Sequence, residues 1–187
     1  MKKIIFTAIA VMGFVFMNAQ ENIIKVNPLA FLGGTDLLSF EHKFGAHTSG
    51  SVGLGFASYK LGGYKYKDNG AELQFRYYVK EAMEGLYGGV RVGFSSGKNT
   101  YDSAGFFGPS SGNSSLDTKF TTIKAGVKGG YQWIWDSGLS LDLNLGLGYT
   151  KYTYKYDSTV DAEDIAFFNF KGSSVGPNFG FALGYAF

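Results

Sequence analysis

The sequence predicts an all-β chain folded as an eight-stranded antiparallel up-and-down transmembrane β-barrel, and three observations carry that expectation. The first is the closing stretch, residues 175–187. Val175, Pro177, Phe179, Phe181, Leu183, Tyr185 and Phe187 share one parity, while Gly176, Asn178, Gly180, Ala182, Gly184 and Ala186 share the other. Side chains of an extended strand point alternately to opposite faces, so this segment has one bulky apolar face and one small face. The second observation is a count. Eight segments of alternating character are separated by turn residues, and closed membrane barrels take an even number. The third is where charge falls: Lys25, Lys43, Arg76, Arg91, Lys124 and Lys128, with Glu41, Glu72 and Asp142, lie on the parity opposite the bulky residues. A base facing lipid near the midplane costs roughly 2–4 kcal/mol, so six of them outward would rival the roughly 5–15 kcal/mol that holds a domain together. They are expected to face the lumen.

Composition agrees. The 187 residues suit one domain; charged residues are 17%, below the roughly 25% of soluble domains, while aromatics reach 18% and glycine numbers 28. There is no cysteine, so disulfide and thiol chemistry are excluded. At the amino terminus Lys2 and Lys3 precede an apolar run over residues 4–17, and Ala19 stands before Gln20. This is the pattern of a cleaved secretory signal, since a spanning helix needs about 20 apolar residues. The expected organisation is a signal peptide over 1–19 and a barrel domain over 20–187. Losing Lys2 and Lys3 takes the formal charge from +2 to zero, which gives no basis for a nucleic-acid partner.

Taken in order, the first strand is expected over 23–32, with Val26, Pro28, Ala30 and Leu32 on one parity and Lys25 and Asn27 on the other. After a Gly-Gly-Thr-Asp turn the second covers 37–44, where Leu38, Phe40, His42 and Phe44 oppose Ser39, Glu41 and Lys43. The third, 51–60, sets Val52, Leu54 and Phe56 against Gly53, Gly55, Ala57 and Tyr59, and the fourth, 71–80, sets Leu73, Phe75, Tyr77 and Val79 against Glu72, Gln74, Arg76 and Tyr78. The fifth is expected over 86–95, followed by a long Gly-, Ser- and Asn-rich loop at 96–116. The sixth runs over 117–135, with Ile123, Ala125, Val127, Tyr131, Trp133 and Trp135 against Lys124, Gly126, Lys128, Gly130 and Gln132. After the turn Asp136-Ser137-Gly138, the seventh covers 139–154; its leucines alternate cleanly to 147, and beyond Tyr149 the parity blurs. A polar, acidic loop at 157–174 precedes the last strand. Pro28 and Pro177 each remove a ladder donor, which implies a bulge or a strand-end position.

Connections two, four and six are short and three, five and seven longer, as for short periplasmic turns and longer outer loops with both termini inside. The first connection is short although this places it outside. Trp133, Trp135, Tyr185 and Phe187 then gather at the periplasmic strand ends, where an interfacial aromatic girdle belongs.

The signal, the eight strands, the inward charges and the terminal Phe187 together resemble the small outer-membrane barrel superfamily that includes the OmpA transmembrane domain, OmpX and OmpW. The Ala-Gln junction resembles those of Bacteroidetes exports. The resemblance covers the whole mature chain and implies an integral outer-membrane location. It also implies outer-membrane lipid and lipopolysaccharide as surroundings, and recognition of the closing strand by the barrel insertion machinery.

The inward charges are readable as a proton or ion path or as a plug. An eight-stranded interior is barely wide enough for its own side chains, which favours the plug. Barrels of this size include lipid A deacylases, which use Ser, His and an acidic residue near the outer leaflet. The two histidines here, His42 and His47, both fall at the periplasmic end, so the expectation is a non-enzymatic protein with no cofactor and no metal. Candidate loop contacts are Phe106 and Phe107 in the fifth connection and Asp157, Asp161, Glu163 and Asp164 in the seventh; the acidic spacing fits no dedicated calcium motif. Three function classes follow. The leading one is a structural or surface-interaction protein acting through its outer loops on a host or cell-surface ligand. The alternative is an OmpW-like channel for small apolar molecules. A soluble lipocalin-like binder would turn the bulky face inward and leave the charge-bearing face outside.

Overall fold

The computed structural model describes residues 21–32, 34–61, 64–102, 115–156 and 171–187; the expected leader and the loop candidates Phe106, Phe107, Asp157, Asp161, Glu163 and Asp164 lie outside them. Eight antiparallel strands follow one another around a closed barrel, β1 (Asn22–Val26), β2 (Leu38–Lys43), β3 (Thr48–Leu61), β4 (Tyr64–Tyr78), β5 (Gly85–Asp102), β6 (Ser115–Ile134), β7 (Leu139–Tyr156) and β8 (Lys171–Ala186). The ring closes where Ile23, Ile24, Lys25 and Val26 of β1 pair with Ala186, Tyr185, Gly184 and Leu183 of β8. The backbones of Asn22 and Phe187 also exchange two hydrogen bonds, of 3.1 and 2.9 Å. This is the near end of the barrel; the β3–β4, β5–β6 and β7–β8 connections lie at the far end.

The alternation predicts the facing of the strands. Val52, Leu54, Leu73, Phe75, Val90, Val127, Leu145 and Phe179 stand on the outer surface, each at least 49% exposed. Lys25, Glu41, Glu72, Arg76, Lys128 and Asp142 are buried inside.

Several boundaries differ from expectation. β1 stops at Val26 rather than continuing to residue 32, and Pro28–Leu32 forms a 3-10 turn. Proline cannot donate to a ladder, so the expected strand-end position is realised here. Pro177, by contrast, stays inside an unbroken β7–β8 register opposite Leu147. β8 ladders with β1 only as far as Leu183, so at Pro177 one edge of the strand has no strand neighbour to serve. Finally, the far-end strands are longer than expected. β4 begins at Tyr64, β5 continues to Asp102 and β6 starts at Ser115, so much of the expected 96–116 loop is paired strand. Cross-strand pairing overrides a composition that reads as loop.

The short β1 and β2 leave a seam in the far half of the wall between β3 and β8. The 3-10 turn fills it, packing against both strands. Gly55 admits the segment that follows the turn, because a Cβ there would collide with the Gly34 carbonyl oxygen.

Candidate functional site

At the near end the inward residues form one connected ion network. The Arg76 guanidinium lies 2.6 Å from Asp142 and 3.3 Å from Glu41, donates at 2.8 Å to Gln74, and stacks over the Tyr87 ring at 4.6 Å. Lys25 reaches the same carboxylates, Asp142 at 3.1 Å and Glu41 in closer contact, and donates to Gln132. Tyr78 donates to Glu41 at 2.8 Å, Tyr87 to Asp142 at 2.7 Å, and Ser49 also donates to Glu41. Two bases thus face two carboxylates, and further donors occupy the remaining lone pairs. Such satisfaction is what makes buried charge tolerable.

Below the network the β4–β5 turn folds into the mouth. Met83, at φ 73°, is buried with Ala82 among Ile23, Tyr78, Tyr87 and Ala186. Gln132 donates its side-chain amide to the Met83 carbonyl, and Ala82 N–H donates to Ala46 at 2.7 Å. A left-handed Met is uncommon and persists where its surroundings over-determine it. The sequence gives no hint of this stopper, since a short Glu-Ala-Met-Glu-Gly connection reads only as a turn.

One layer higher, Glu72 accepts from Thr35 and Gln74 at 2.7 Å each and pairs with Arg91 at 3.2 Å. Lys128 is buried beside the network, Lys124 is half-buried nearer the far end, and Lys43 sits at the near rim paired with exposed Glu81 at 3.0 Å rather than inside the lumen. Trp133, Trp135 and Tyr185 are exposed at near-end strand positions, with the Tyr131 and Trp133 rings 4.4 Å apart. Phe187 closes the same end. His42 lies 2.9 Å from the Asn22 side chain and His47 3.2 Å from the Tyr78 carbonyl, both at the near end. Among the described residues no three His, Asp or Glu side chains come together to hold a metal.

The far end is built differently. Above the apolar belt the alternation inverts: Tyr64, Tyr66, Phe120, Tyr152 and Tyr154 now face inward, and lysines face outward. The rings line a vestibule of about 280 Å³ floored by Asp68, Asn99, Thr122 and Lys124. Tyr66 stacks on Tyr59 at 5.0 Å and on Phe120 at 5.7 Å. Asp68 Oδ1 and Asn99 Oδ1 are buried there without a hydrogen-bond partner. Both line the vestibule, so water or a donor-bearing guest held there would satisfy them. A second hollow of about 280 Å³ opens beside the 3-10 turn, lined by Asp36, Arg91, Lys124, Asn178 and Phe179, with Arg91 Nε and Asn178 Nδ2 unpartnered. What sequence reasoning missed is this vestibule. The signal for it was the Tyr-Lys-Tyr-Lys run at 64–67 and its counterpart at 152–155.

Geometry therefore defines a class: a small closed β-barrel with a buried ion network and an inserted turn at one end and a hollow at the other. The chain belongs to the family described as Protein of unknown function (DUF3575), which matches residues 5–185. No curated protein and no solved structure matches it.

Proposed function

We propose that this is an outer-membrane barrel, exported by a cleaved signal, that neither conducts through its lumen nor catalyses a reaction. It acts as a structural or surface-interaction protein, presenting its far-end vestibule and loops to ligands outside the cell. The observation that carries this reading is the satisfied ion network of Lys25, Glu41, Arg76 and Asp142 over the Met83 stopper, which leaves no polar path through the near end. The membrane location is supported by the outer surface. Over residues 175–185 every outward position of β8 is apolar. At roughly 3.4 Å per residue and a tilt of about 45° that run spans roughly 24 Å, close to the height of a lipid-facing barrel band. A continuous apolar girdle of this extent does not suit a water-exposed monomer. Placement of both histidines at the near end supports the non-enzymatic part, since a base acting on outer-leaflet substrate must lie at the far end.

The seam favours a second reading, an OmpW-like passage for small apolar molecules. There the wall between β3 and β8 is a 3-10 turn rather than a ladder, and the hollow beside it shares Lys124 with the vestibule. A solute entering from the far end would leave sideways into lipid.

Planar-bilayer recording and solute uptake separate the two. The surface reading expects no unitary conductance and no uptake; uptake of an apolar solute without conductance selects the seam, and steady conductance overturns the plug. In the same preparation a fluorophore at Leu143 should be quenched by lipid-borne quenchers and one at Asn144 should not. The opposite pattern would mean the barrel is not immersed with this face outward.

A further inference from the structure

The far-end vestibule has an aromatic wall and a polar floor. In the wall, Phe120 of β6 lies 5.7 Å from Tyr66 of β4 and 6.4 Å from Tyr154 of β7, and Tyr152 stacks on Tyr154 at 6.3 Å. Gly97 of β5 lets the Phe120 ring take that place, since a Cβ on Gly97 would collide with it. In the floor, Asp68 is only 3% exposed. Its Oδ2 accepts from the Tyr66 hydroxyl at 3.1 Å, while its Oδ1, like Asn99 Oδ1, has no partner among the described residues. Asp68 pairs across the ladder with Gly97, and Asn99 is two residues further along β5, so both side chains line the same hollow. Lys124 and Thr122 add donors to that floor.

Water would satisfy the two oxygens but leave the ring faces wet. A guest that presents an apolar face to the rings and donors to the oxygens satisfies both surfaces at once, and small-molecule sites are built in this way, mostly apolar with a few placed polar groups. We infer that the vestibule is a sugar-binding site, taking one pyranose ring of a glycan outside the cell, with the C–H face of the sugar on the tyrosines and its hydroxyls donating to Asp68 and Asn99. The C–H edges of a pyranose are electropositive, and the faces of Tyr and Phe rings carry the negative part of the quadrupole. A hydroxyl both donates and accepts, so the sugar that donates to Asp68 also accepts from Lys124. An alkylammonium is drawn to rings and carboxylates too, but it offers donors alone and would sit beside the Lys124 ammonium. Volume limits the guest to one ring: about 280 Å³ lies at the lower edge of the roughly 300–1,000 Å³ of small-molecule sites. Placing the sugar outside the cell rests on the surface reading above; the site itself is tested apart from it.

The full-length protein is folded in a polyoxyethylene detergent, which carries neither sugar nor ammonium, with heat-modifiable migration reporting folding. Methyl glucoside, methyl galactoside, methyl mannoside and tetramethylammonium are added in turn, and saturation transfer from protein to probe and calorimetric titration report binding. At least one glycoside should bind at a single site and more tightly than tetramethylammonium. Asp68→Ala removes a charged acceptor and should weaken that binding about tenfold. Tyr152→Leu keeps bulk but removes a stacking face, for a loss of about threefold. Asn69→Ala, next to Asp68 on β4 but on the outer face, should leave binding unchanged. Should Asp68→Ala not fold, Asn99→Ala serves, with a loss of about fivefold. Preference for tetramethylammonium over every glycoside overturns the proposal. So does failure of all three glycosides to bind, as would follow if water or another segment of this chain fills the vestibule, and so does an Asp68→Ala variant that binds as the parent does. A barrel whose Leu143 probe sees no lipid, yet which binds a glycoside through Asp68, refutes the membrane reading and leaves the sugar site standing. Insertion without glycoside binding refutes the sugar site alone.

Discussion

The near and far halves of this barrel use the same inward positions for opposite ends. In the near half every charge of the central cluster has its partners, and Arg76 alone touches two carboxylates, a glutamine and an aromatic face. The buried polar atoms without partners lie higher, on Ser51, Asp68, Arg91, Asn99 and Asn178 among the described residues. A satisfied network rigidifies, while buried polar atoms without a protein partner leave room for water or a ligand. The near half thus ties its strands together across the lumen. The far half leaves polar groups open around its hollows.

The largest effect should therefore come from breaking the near half. Arg76→Met leaves buried Glu41 and Asp142 with Lys25 as their one ion-paired base, a type of change that costs about 3–5 kcal/mol. Lys124→Met, half-buried at the vestibule floor, should cost under about 1 kcal/mol, as exposed charges do. Urea unfolding in bilayers checks both. Equal losses would mean that the near network is as solvated as the vestibule, and the proposed plug would lose its support.

That half was largely legible in the sequence. A charge on the glycine-bearing parity has nowhere to go but inward, so Lys25, Glu41, Glu72, Arg76, Arg91, Lys128 and Asp142 followed from alternation and the cost of charge in lipid. Lys43 shares their parity, yet it lies at the strand end, where the lumen has given way to the rim. Strand ends were harder to read. Parity marks a strand when apolar residues stay on one side, but between Tyr149 and Tyr152 the rings change sides while the ladder continues without a break. The pattern inverts because the rings turn into the vestibule while lysines take the outer face, and a reading keyed to outward apolar residues takes the inversion for an ending. The closing contacts of Met83 and the 3-10 turn had no sequence signal, since both depend on chain segments distant in sequence meeting at the wall.

An intermediate effect is expected at the seam, which joins the two halves. Gly55→Val places side-chain atoms into the Gly34 carbonyl and must displace the Gly34–Thr35 segment that follows the 3-10 turn. Overpacking of this kind costs roughly 1–3 kcal/mol. Gly88→Ala, where an added Cβ meets nothing within 4 Å, is the matched control and should be close to neutral. The comparison sharpens if the Gly55 variant also lets an apolar solute pass, because the turn would then be the part of the wall that yields. A variant as stable as the parent would mean that the turn does not pack on β3 as described.

The smallest effect lies on the outer face of the far half, at Asp117. Its carboxyl is held below the ordinary range first by the hydrogen bond from Lys98, then by that from Thr100. The sign follows from linkage: the folded state keeps this group ionised to lower pH than the unfolded chain does, so its contribution is fully present above the unfolded value, near pH 4. It is lost as pH falls through the folded value. Because the carboxylate is exposed to solvent, the effect should be small and should shrink further in salt. Measured as the stability difference between the parent and Asp117→Asn, it should be constant from pH 7 to about pH 5 and should close as pH falls below about 4. The near network gives Arg76→Met a loss that salt does not screen, so the two variants should respond to ionic strength differently. If the Asp117 difference instead persisted undiminished into strong acid, the carboxylate would not be acting as the partner of Lys98.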